Sequence, residues 1–241
     1  MHYQNVTIGN VIARISRFTV TVDLAGEVVK AHLSNTGRNK ELLVAGHPIS
    51  IAKAKNPERK TAYDVIAVQR DGRWINIDSL APNHLVNAAL TSGTLKLPSS
   101  PLPYAVHPET TFEDSRLDFS GSDANGQRFV VETKGVTLAN GTQAAFPDAP
   151  TERGLKHVHT LMSAQAQGIT SYLALVVQLP GIDTVTIYRE RFAPLVAAIT
   201  QAKAAGVQVL AIGCDVGPDY IELADLLHFD ETLPFTEVTT E

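Results

Sequence analysis

Apolar and polar residues alternate in several short runs over the first eighty positions of the chain. The runs cover 11–24, 27–33, 47–54 and 62–78. A period of two is typical of strands with one buried face. Ala25-Gly26 and Asp71-Gly72 lie within or between these runs and predict tight turns. Such closely spaced strands predict a small barrel, and the five-stranded oligonucleotide-binding (OB) fold is a common barrel of this size.

The pattern changes to alternating strands and helices in the second half. A hairpin is predicted from Leu117-Asp118-Phe119 through a turn at Asn125-Gly126 to the strand 129–135. The later predicted elements are a helix over 151–168, strands over 171–178 and 184–188, a helix over 194–205 and a strand over 207–212. This order predicts an α/β domain with a mixed central sheet. The acidic stretch from Asp215 is expected to fold loosely over that sheet.

A short helix and a segment rich in proline and serine separate these two regions. Asn83 is expected to cap the helix and Gly93 to end it. The sequence therefore predicts an OB-like nucleic-acid-binding barrel over 1–80, a helix and linker over 81–103, and an α/β domain over 104–241.

Charge is distributed unevenly along the 241 residues. The formal net charge is -5, but residues 1–75 hold 11 Lys and Arg against 6 Asp and Glu, whereas residues 76–241 hold 9 against 19. A basic front half indicates a polyanion that contacts this part of the chain. DNA or RNA is therefore the expected partner, and the sequence leaves open whether the protein forms a homodimer.

The chain carries one cysteine, Cys214, in an apolar run. No internal disulfide can form, and a reducing compartment fits this composition. The first ten residues lack the basic and apolar segments of a secretory signal, and the apolar runs are too short to span a bilayer. We expect a cytoplasmic protein without a membrane partner.

The strand of the predicted hairpin, FVVETKG at 129–135, carries two charged residues. Glu132 and Lys134 share one face because side chains alternate along a strand. An exposed cross-strand ion pair is the ordinary interpretation. The hairpin also brings Asp118 close, however, and two carboxylates with the Thr133 carbonyl are the hard oxygen ligands that Mg²⁺ prefers. Lys134 could then orient a water, hold a hydroxide or neutralise charge on a phosphate.

Longer motifs connect the chain to a known family. SRLDF at 115–119, VETKGVTL at 131–138, FPDAPTERGLKH at 146–157, AHLSNTGR at 31–38 and RKTAYD at 59–64 together resemble the sugar fermentation stimulation protein A family. The resemblance covers nearly the whole chain in order. It implies an OB-like barrel followed by a restriction-endonuclease-like domain, and a DNA or RNA nuclease of the Asp...(Asp/Glu)-x-Lys class.

The resemblance also implies a set of site residues. Asp118, Glu132 and Lys134 become the catalytic residues, and Mg²⁺ or Mn²⁺ is held by Asp118, Glu132 and the Thr133 carbonyl with a helix acid, Glu109 or Glu113. The arginine usual before this acid is absent, because His107-Pro108 precede Glu109. Asp148 follows the catalytic strand and is not assigned to the metal. The alternatives are a DNA-binding regulator of sugar-utilisation genes that does not cleave, and a small-molecule phosphodiesterase.

Nucleic-acid contacts are predicted on both domains. The candidates are Arg17, His32, Asn35, Thr36, Gly37, Arg38, Lys40, Arg59, Lys60, Arg116, Arg153 and Lys156. In the helix over 151–168, Arg153, Lys156 and His157 are expected on the face opposite an apolar stripe that contains Val158 and Leu161. Phe18 and Tyr63 are potential stacking platforms, although packing in the core is the expected role of each.

Overall fold

The computed structural model of the chain describes residues 1–35, 37–54, 56 and 58–237. Its first sheet is built from six strands that are consecutive in the sequence. They are β1 (Val6–Ser16), β2 (Thr19–Leu24), β3 (Glu27–His32), β4 (Pro48–Lys53), β5 (Tyr63–Arg70) and β6 (Arg73–Asn76). The alternating runs of the sequence therefore do form strands, and β1 begins five residues before its predicted run.

Five of these strands close into the predicted OB-like barrel. The strand order is β3-β2-β1-β4-β5-β6, and a parallel pairing between β3 and β5 closes the ring. The predicted turns have the backbone conformation of tight hairpins, with positive φ at Ala25 and Gly26 and at Asp71 and Gly72. Alternate side chains of the strands point inward, as Val20 and Val22 of β2 show with 0% exposure.

The second sheet has nine strands and is accompanied by three helices. The elements are α1 (Ala81–Ser92), β7 (Ala105–Phe112), β8 (Ser115–Ser122), β9 (Arg128–Val136), β10 (Leu138–Asn140), β11 (Gln143–Phe146), α2 (Glu152–Ala166), β12 (Thr170–Val177), β13 (Thr184–Ile187), α3 (Ala193–Ala204), β14 (Gln208–Val216) and β15 (Ile221–Phe229). The strand order is β10-β11-β13-β15-β14-β12-β9-β8-β7. β12 pairs in parallel with β9 and β14, whereas β7, β8 and β9 pair antiparallel. The predicted mixed sheet is confirmed.

Helices cover both faces of this sheet. Val130 of β9 packs in one core with Val158 and Leu161 of α2, whereas Phe129 packs in another core with residues of α1. This division follows from the alternation of side chains along β9. None of the helices in the described ranges is long and apolar enough to cross a membrane.

The expectation of a loose segment after Asp215 is wrong. β14 continues to Val216, and β15 lies in the interior of the sheet between β13 and β14. Ile221 is fully buried, and Leu227 packs against the core, whereas Glu222 and Asp225 are exposed. These acidic residues are exposed positions of a paired strand, which a count of charges alone does not distinguish from a loop.

The two sheets meet through buried polar groups. The Nε2 of Gln178, just after β12, donates to the Oδ1 of Asn76 over 2.9 Å, and the Asn76 N–H donates to the Gln178 carbonyl over 2.9 Å. Asn76 is 0% exposed and Gln178 is 1% exposed. Buried amides need such partners, so these reciprocal bonds fix the barrel against the end of β12.

Candidate active site

The strands β8 and β9 separate at the residues predicted to carry chemistry. Their ladder runs from Ser122 and Arg128 to Phe119 and Val131. Beyond it, Asp118 Oδ2 accepts from the Thr133 N–H over 2.8 Å, and the Asp118 N–H donates to Glu132 Oε2 over 3.3 Å. At this point the backbone N–H groups of Asp118 and Thr133 therefore donate to side-chain carboxylates instead of to carbonyls of the neighbouring strand. The carboxylates of Asp118 and Glu132 both lie in the gap between β8 and β9.

Glu132 lies at the centre of a buried cluster. Its residue exposure is 1%, and its Oε1 accepts from Lys134 Nζ and His157 Nδ1. Burial would raise the pKa of Glu132, but the hydrogen bond from His157 and the charge and hydrogen bond of Lys134 outweigh it, and the pKa is lowered. Glu132 is therefore an ionised carboxylate held by three donors, Lys134, His157 and the Asp118 N–H. Its pair with Lys134 is not the exposed ion pair of the ordinary interpretation.

His157 is a residue of this cluster to which the sequence analysis gave no role in the site. We expected it opposite the apolar stripe of α2, but it is buried on the same side as Val158 and Leu161. A carboxylate only accepts hydrogen bonds, so Nδ1 of His157 carries the proton. Its Nε2 then accepts from Arg153 Nε over 3.5 Å. The signal was present in the sequence, because 154, 157, 158 and 161 follow the spacing of one helix face.

Asn83 holds the other carboxylate. Its Nδ2 donates to Asp118 Oδ1 over 2.8 Å. The prediction that Asn83 caps α1 is wrong, because the N-cap is Leu80 and Asn83 lies within the first turn. The predicted end of the helix is confirmed, because Gly93 ends it in the left-handed conformation. Burial and the charge of Glu132 raise the pKa of Asp118, against the opposing contributions of Thr133, Lys134 and Asn83.

These groups suit a divalent cation. Among the described residues, no group of three or more His, Cys, Asp and Glu side chains is arranged as a metal site. The candidate ligands are instead two carboxylates and a backbone carbonyl. Thr133 directs its N–H towards β8, and in an antiparallel pair the carbonyl of a residue points to the same neighbour. Two neighbouring carboxylates, of which Glu132 raises the pKa of Asp118, and a carbonyl directed at the same gap match the oxygen ligands of Mg²⁺.

The acid predicted to complete this set is not on a helix. Glu109 lies in β7, is exposed, and forms an ion pair with Arg116. Glu113 lies in the turn between β7 and β8 and accepts from Ser163 and Gln167. Neither hydrogen-bonds to Asp118 or Glu132, and the structure does not bring them into the cluster.

The predicted nucleic-acid contacts form exposed groups on both domains. Arg17, Arg38, Lys40, Lys60, Arg116, Arg153 and Lys156 are exposed. Arg59 forms a bidentate ion pair with Asp64, at 2.8 and 2.9 Å, and Lys156 pairs with Asp114 at 3.0 Å. Thr36 lies outside the described residues.

Phe18 and His32 form an aromatic pair on the barrel. Their ring centroids are 6.3 Å apart, and the guanidinium of Arg17 lies 5.4 Å from the Phe18 ring centroid. The expected core role of Phe18 is wrong, because the residue is 44% exposed, whereas Tyr63 does pack against the core. A groove of about 780 Å³ begins at His32 and Arg59 and reaches Leu80 and His84 beside Asn83.

Arg14 organises this surface and was not among the predicted residues. Its guanidinium donates to the carbonyls of Arg17, Gly37 and Arg38 over 2.8, 2.9 and 2.6 Å. Asn35 Oδ1 accepts from the Gly37 N–H over 2.7 Å. Arg14 therefore holds two basic loops together, a role that depends on contacts between distant residues.

Comparison with known proteins identifies the family. The model of the sugar fermentation stimulation protein RE domain matches residues 80–220, and the model of the SfsA N-terminal OB domain matches residues 12–77. The chain belongs to the sugar fermentation stimulation protein family. This confirms the resemblance that the motifs indicated.

Relatives in the family match along their whole length. The homolog of Lacticaseibacillus casei is 61% identical over 99% of this chain and 98% of its own. The homolog of Enterococcus mundtii is 39% identical over 98% of this chain and 99% of its own. The solved structure of Pyrococcus furiosus SfsA, in complex with Ca²⁺, has a TM-score of 0.86 at 22% identity and covers 95% of this chain and 98% of that one. That likeness establishes the shared fold.

Proposed function

We propose that this protein is a metal-dependent nuclease that hydrolyses phosphodiester bonds of DNA or RNA, with the OB-like barrel binding the nucleic acid. The observation that carries the proposal is the gap between β8 and β9, where Asp118 and Glu132 face one another with Lys134 beside them. An ordinary structural ion pair requires no second carboxylate. The Ca²⁺ complex of the Pyrococcus furiosus relative supports a divalent cation.

The residues would divide the work as follows. Asp118, Glu132 and the Thr133 carbonyl would hold Mg²⁺ or Mn²⁺, which would supply positive charge to the phosphate and lower the pKa of a water. Asn83 and the Thr133 N–H orient Asp118, and His157 and the Asp118 N–H orient Glu132. Fixed ligands of this kind reduce the reorganisation needed on binding.

Lys134 would act on the substrate. The Lys134 side chain is 18% exposed. Its ammonium therefore remains accessible from the gap while it contacts Glu132. There it would stabilise the negative charge that develops on the phosphate during attack, an effect that is strong in a partly dry site. The groove that leads from the barrel towards α1 would deliver the strand to this point.

Labelled single-stranded and double-stranded DNA and RNA test the proposal, each with Mg²⁺, Mn²⁺ or a chelator. We expect cleavage with metal, loss of cleavage in Glu132→Gln, and unchanged cleavage in the exposed control Glu190→Gln. Cleavage that persists in chelator or in folded Glu132→Gln would refute the site. Tight binding by the parent with no cleavage under any condition would favour a DNA-binding regulator.

A further inference from the structure

A cavity of about 110 Å³ lies where the two domains meet. Its lining includes Asn35 from the barrel, Gly135 and Val136 from the end of β9, Phe146 and Asp148 from the stretch after β10, and Gln178. Gly135 and Val136 are one and two residues after Lys134, which is about 3–7 Å of strand. The cavity thus borders the strand that carries Lys134, the group that we propose acts on the phosphate.

Gln178 presents a buried acceptor to this cavity. It is 1% exposed, and its Nε2 donates to the Asn76 side chain and to the Asp78 carbonyl over 2.9 and 3.1 Å. These bonds fix the amide, and no donor in the described part of the chain hydrogen-bonds to its Oε1. A Cβ added to Gly135 would lie 2.2 Å from that oxygen. The acceptor therefore faces the end of β9, where a side chain would block it.

Two further polar groups face the cavity from the opposite side. Asn35 uses its Oδ1 to accept from Gly37, which leaves the Nδ2 as a donor. Asp148 packs against the same loop, since a Cβ on Gly37 would lie 2.3 Å from its Oδ2. Asp148 forms no close ion pair with any residue that the structure describes, and the charge of Arg191 acts on its carboxyl only from a longer distance.

An apolar wall completes the site. Phe146 is 9% exposed and Val136 is 1% exposed, and both line the cavity. An apolar wall with donors and acceptors beside it is the arrangement that recognises a heterocyclic base. We infer that this cavity accepts the nucleobase next to the scissile phosphate, an inference that rests on the nuclease function proposed above. Asn35 would donate to the base, and Gln178 and Asp148 would accept from it.

Asn35→Asp tests the inference with little change in shape. The new carboxylate keeps an acceptor for the Gly37 N–H but removes the donor of the cavity. Asp148→Asn makes the reverse exchange and serves if the first variant fails to fold. Asn125→Asp, on the exposed tip of the β8–β9 hairpin, changes the charge as Asn35→Asp does, at a distant position.

Binding is measured by fluorescence anisotropy in chelator, so that no substrate is cut. The probes are six-residue homopolymers of each base and a six-residue abasic phosphodeoxyribose chain, with free mononucleotides as competitors. The parent should prefer one base by about 5- to 100-fold, the range for a good pair of hydrogen bonds to a base. Asn35→Asp should change the rank order of the bases, and Asn125→Asp should keep it. Stacking on Phe18 is sequence-tolerant, so the rank order reports on the cavity.

The outcomes separate this inference from the nuclease proposal. A parent that binds all bases and the abasic chain equally, or Asn35→Asp and Asp148→Asn variants that both keep the parental rank order, would overturn the base site. Competition by one free mononucleotide, in the same base order, would show that the cavity also takes a base outside a strand. A base preference that depends on Asn35 in a protein that cleaves nothing with Mg²⁺ would retain the base site and reject the nuclease.

Discussion

Lys134→Met perturbs the site most directly, because it leaves Glu132 as a buried carboxylate without its ammonium partner. The side chains of Lys134 and Glu132 are 18% and 1% exposed, so water replaces little of the lost interaction. Removing one partner of a buried ion pair costs about 3–5 kcal/mol of unfolding free energy. His157 and the Asp118 N–H still donate to Glu132, so we expect a loss near the lower end, about 3 kcal/mol.

The double variant Lys134→Met with Glu132→Gln gives the matched comparison. It removes both charges, and we expect it to be only about 1 kcal/mol less stable than the parent, so that the second substitution recovers about 2 kcal/mol. Urea denaturation in the presence of a chelator measures all four proteins of the cycle without metal. A Lys134→Met protein within about 0.5 kcal/mol of the parent, or additive effects in the double variant, would show that the buried pair is not coupled as described.

The same substitution separates binding from catalysis. With metal present, Lys134→Met should cleave about 10²–10³-fold more slowly, the usual effect of losing one electrostatic stabiliser of the transition state. Oligonucleotide affinity should be retained, because the barrel residues are unchanged. Lys96→Met, at an exposed position outside the site, is the control for loss of a surface charge. Cleavage at the parental rate by folded Lys134→Met would refute the role assigned to the lysine.

Three further outcomes follow from the structure. Burial and the charge of Glu132 raise the pKa of Asp118 above its ordinary 3.8. Between pH 3.8 and this raised pKa, the Asp118 carboxyl keeps its proton in the folded protein but loses it in the unfolded chain. The free energy of unfolding therefore falls as pH rises through this interval. Asp118→Asn in chelator should remove that part of the pH dependence of Tm, and an unchanged slope would contradict it. Arg38→Ala with Lys40→Ala should reduce the slope of log affinity against log salt by about 1.4 for single strands, as expected for two lost phosphate contacts; an unchanged slope would exclude these residues. Phe18→Ala should weaken single-strand binding by about 1–3 kcal/mol with little base preference, and a titration that matches the parent would exclude stacking there.

The sequence predicted the elements whose signal is local. The alternation of the barrel strands, the Asn-Gly turn of the β8–β9 hairpin and the apolar stripe of α2 depend on neighbours in the chain, and each appears in the structure. The proximity of Asp118 to Glu132 followed from the hairpin alone. Motif resemblance supplied the family, which no periodicity could have done.

Contacts between distant residues could not be predicted in the same way. Asn83 and Asp118 are separated by 35 positions, and His157 and Glu132 by 25. The short polar side chain of Asn83 near a helix start favoured a cap, but tertiary packing moved the start to Leu80 and directed the amide to the carboxylate. Arg14 was missed for a similar reason, since its partners lie on two separate loops.

The position of β15 determines how the second domain can assemble during synthesis. Its neighbours β13 and β14 are not paired with each other, so in the described sheet β15 joins the group of β10, β11 and β13 to the group that begins with β14. The second group consists of β14, β12, β9, β8 and β7. All eight strands of the two groups leave the ribosome before β15 (Ile221–Phe229) does. The N-terminus can take its final position only after β15 has been synthesised. This is because the Met1 amino group donates to the Ile221 carbonyl and the Ile221 N–H donates to the Met1 carbonyl. The sheet can therefore be completed only after translation has passed residue 229, when β15 is present to pair with both β13 and β14.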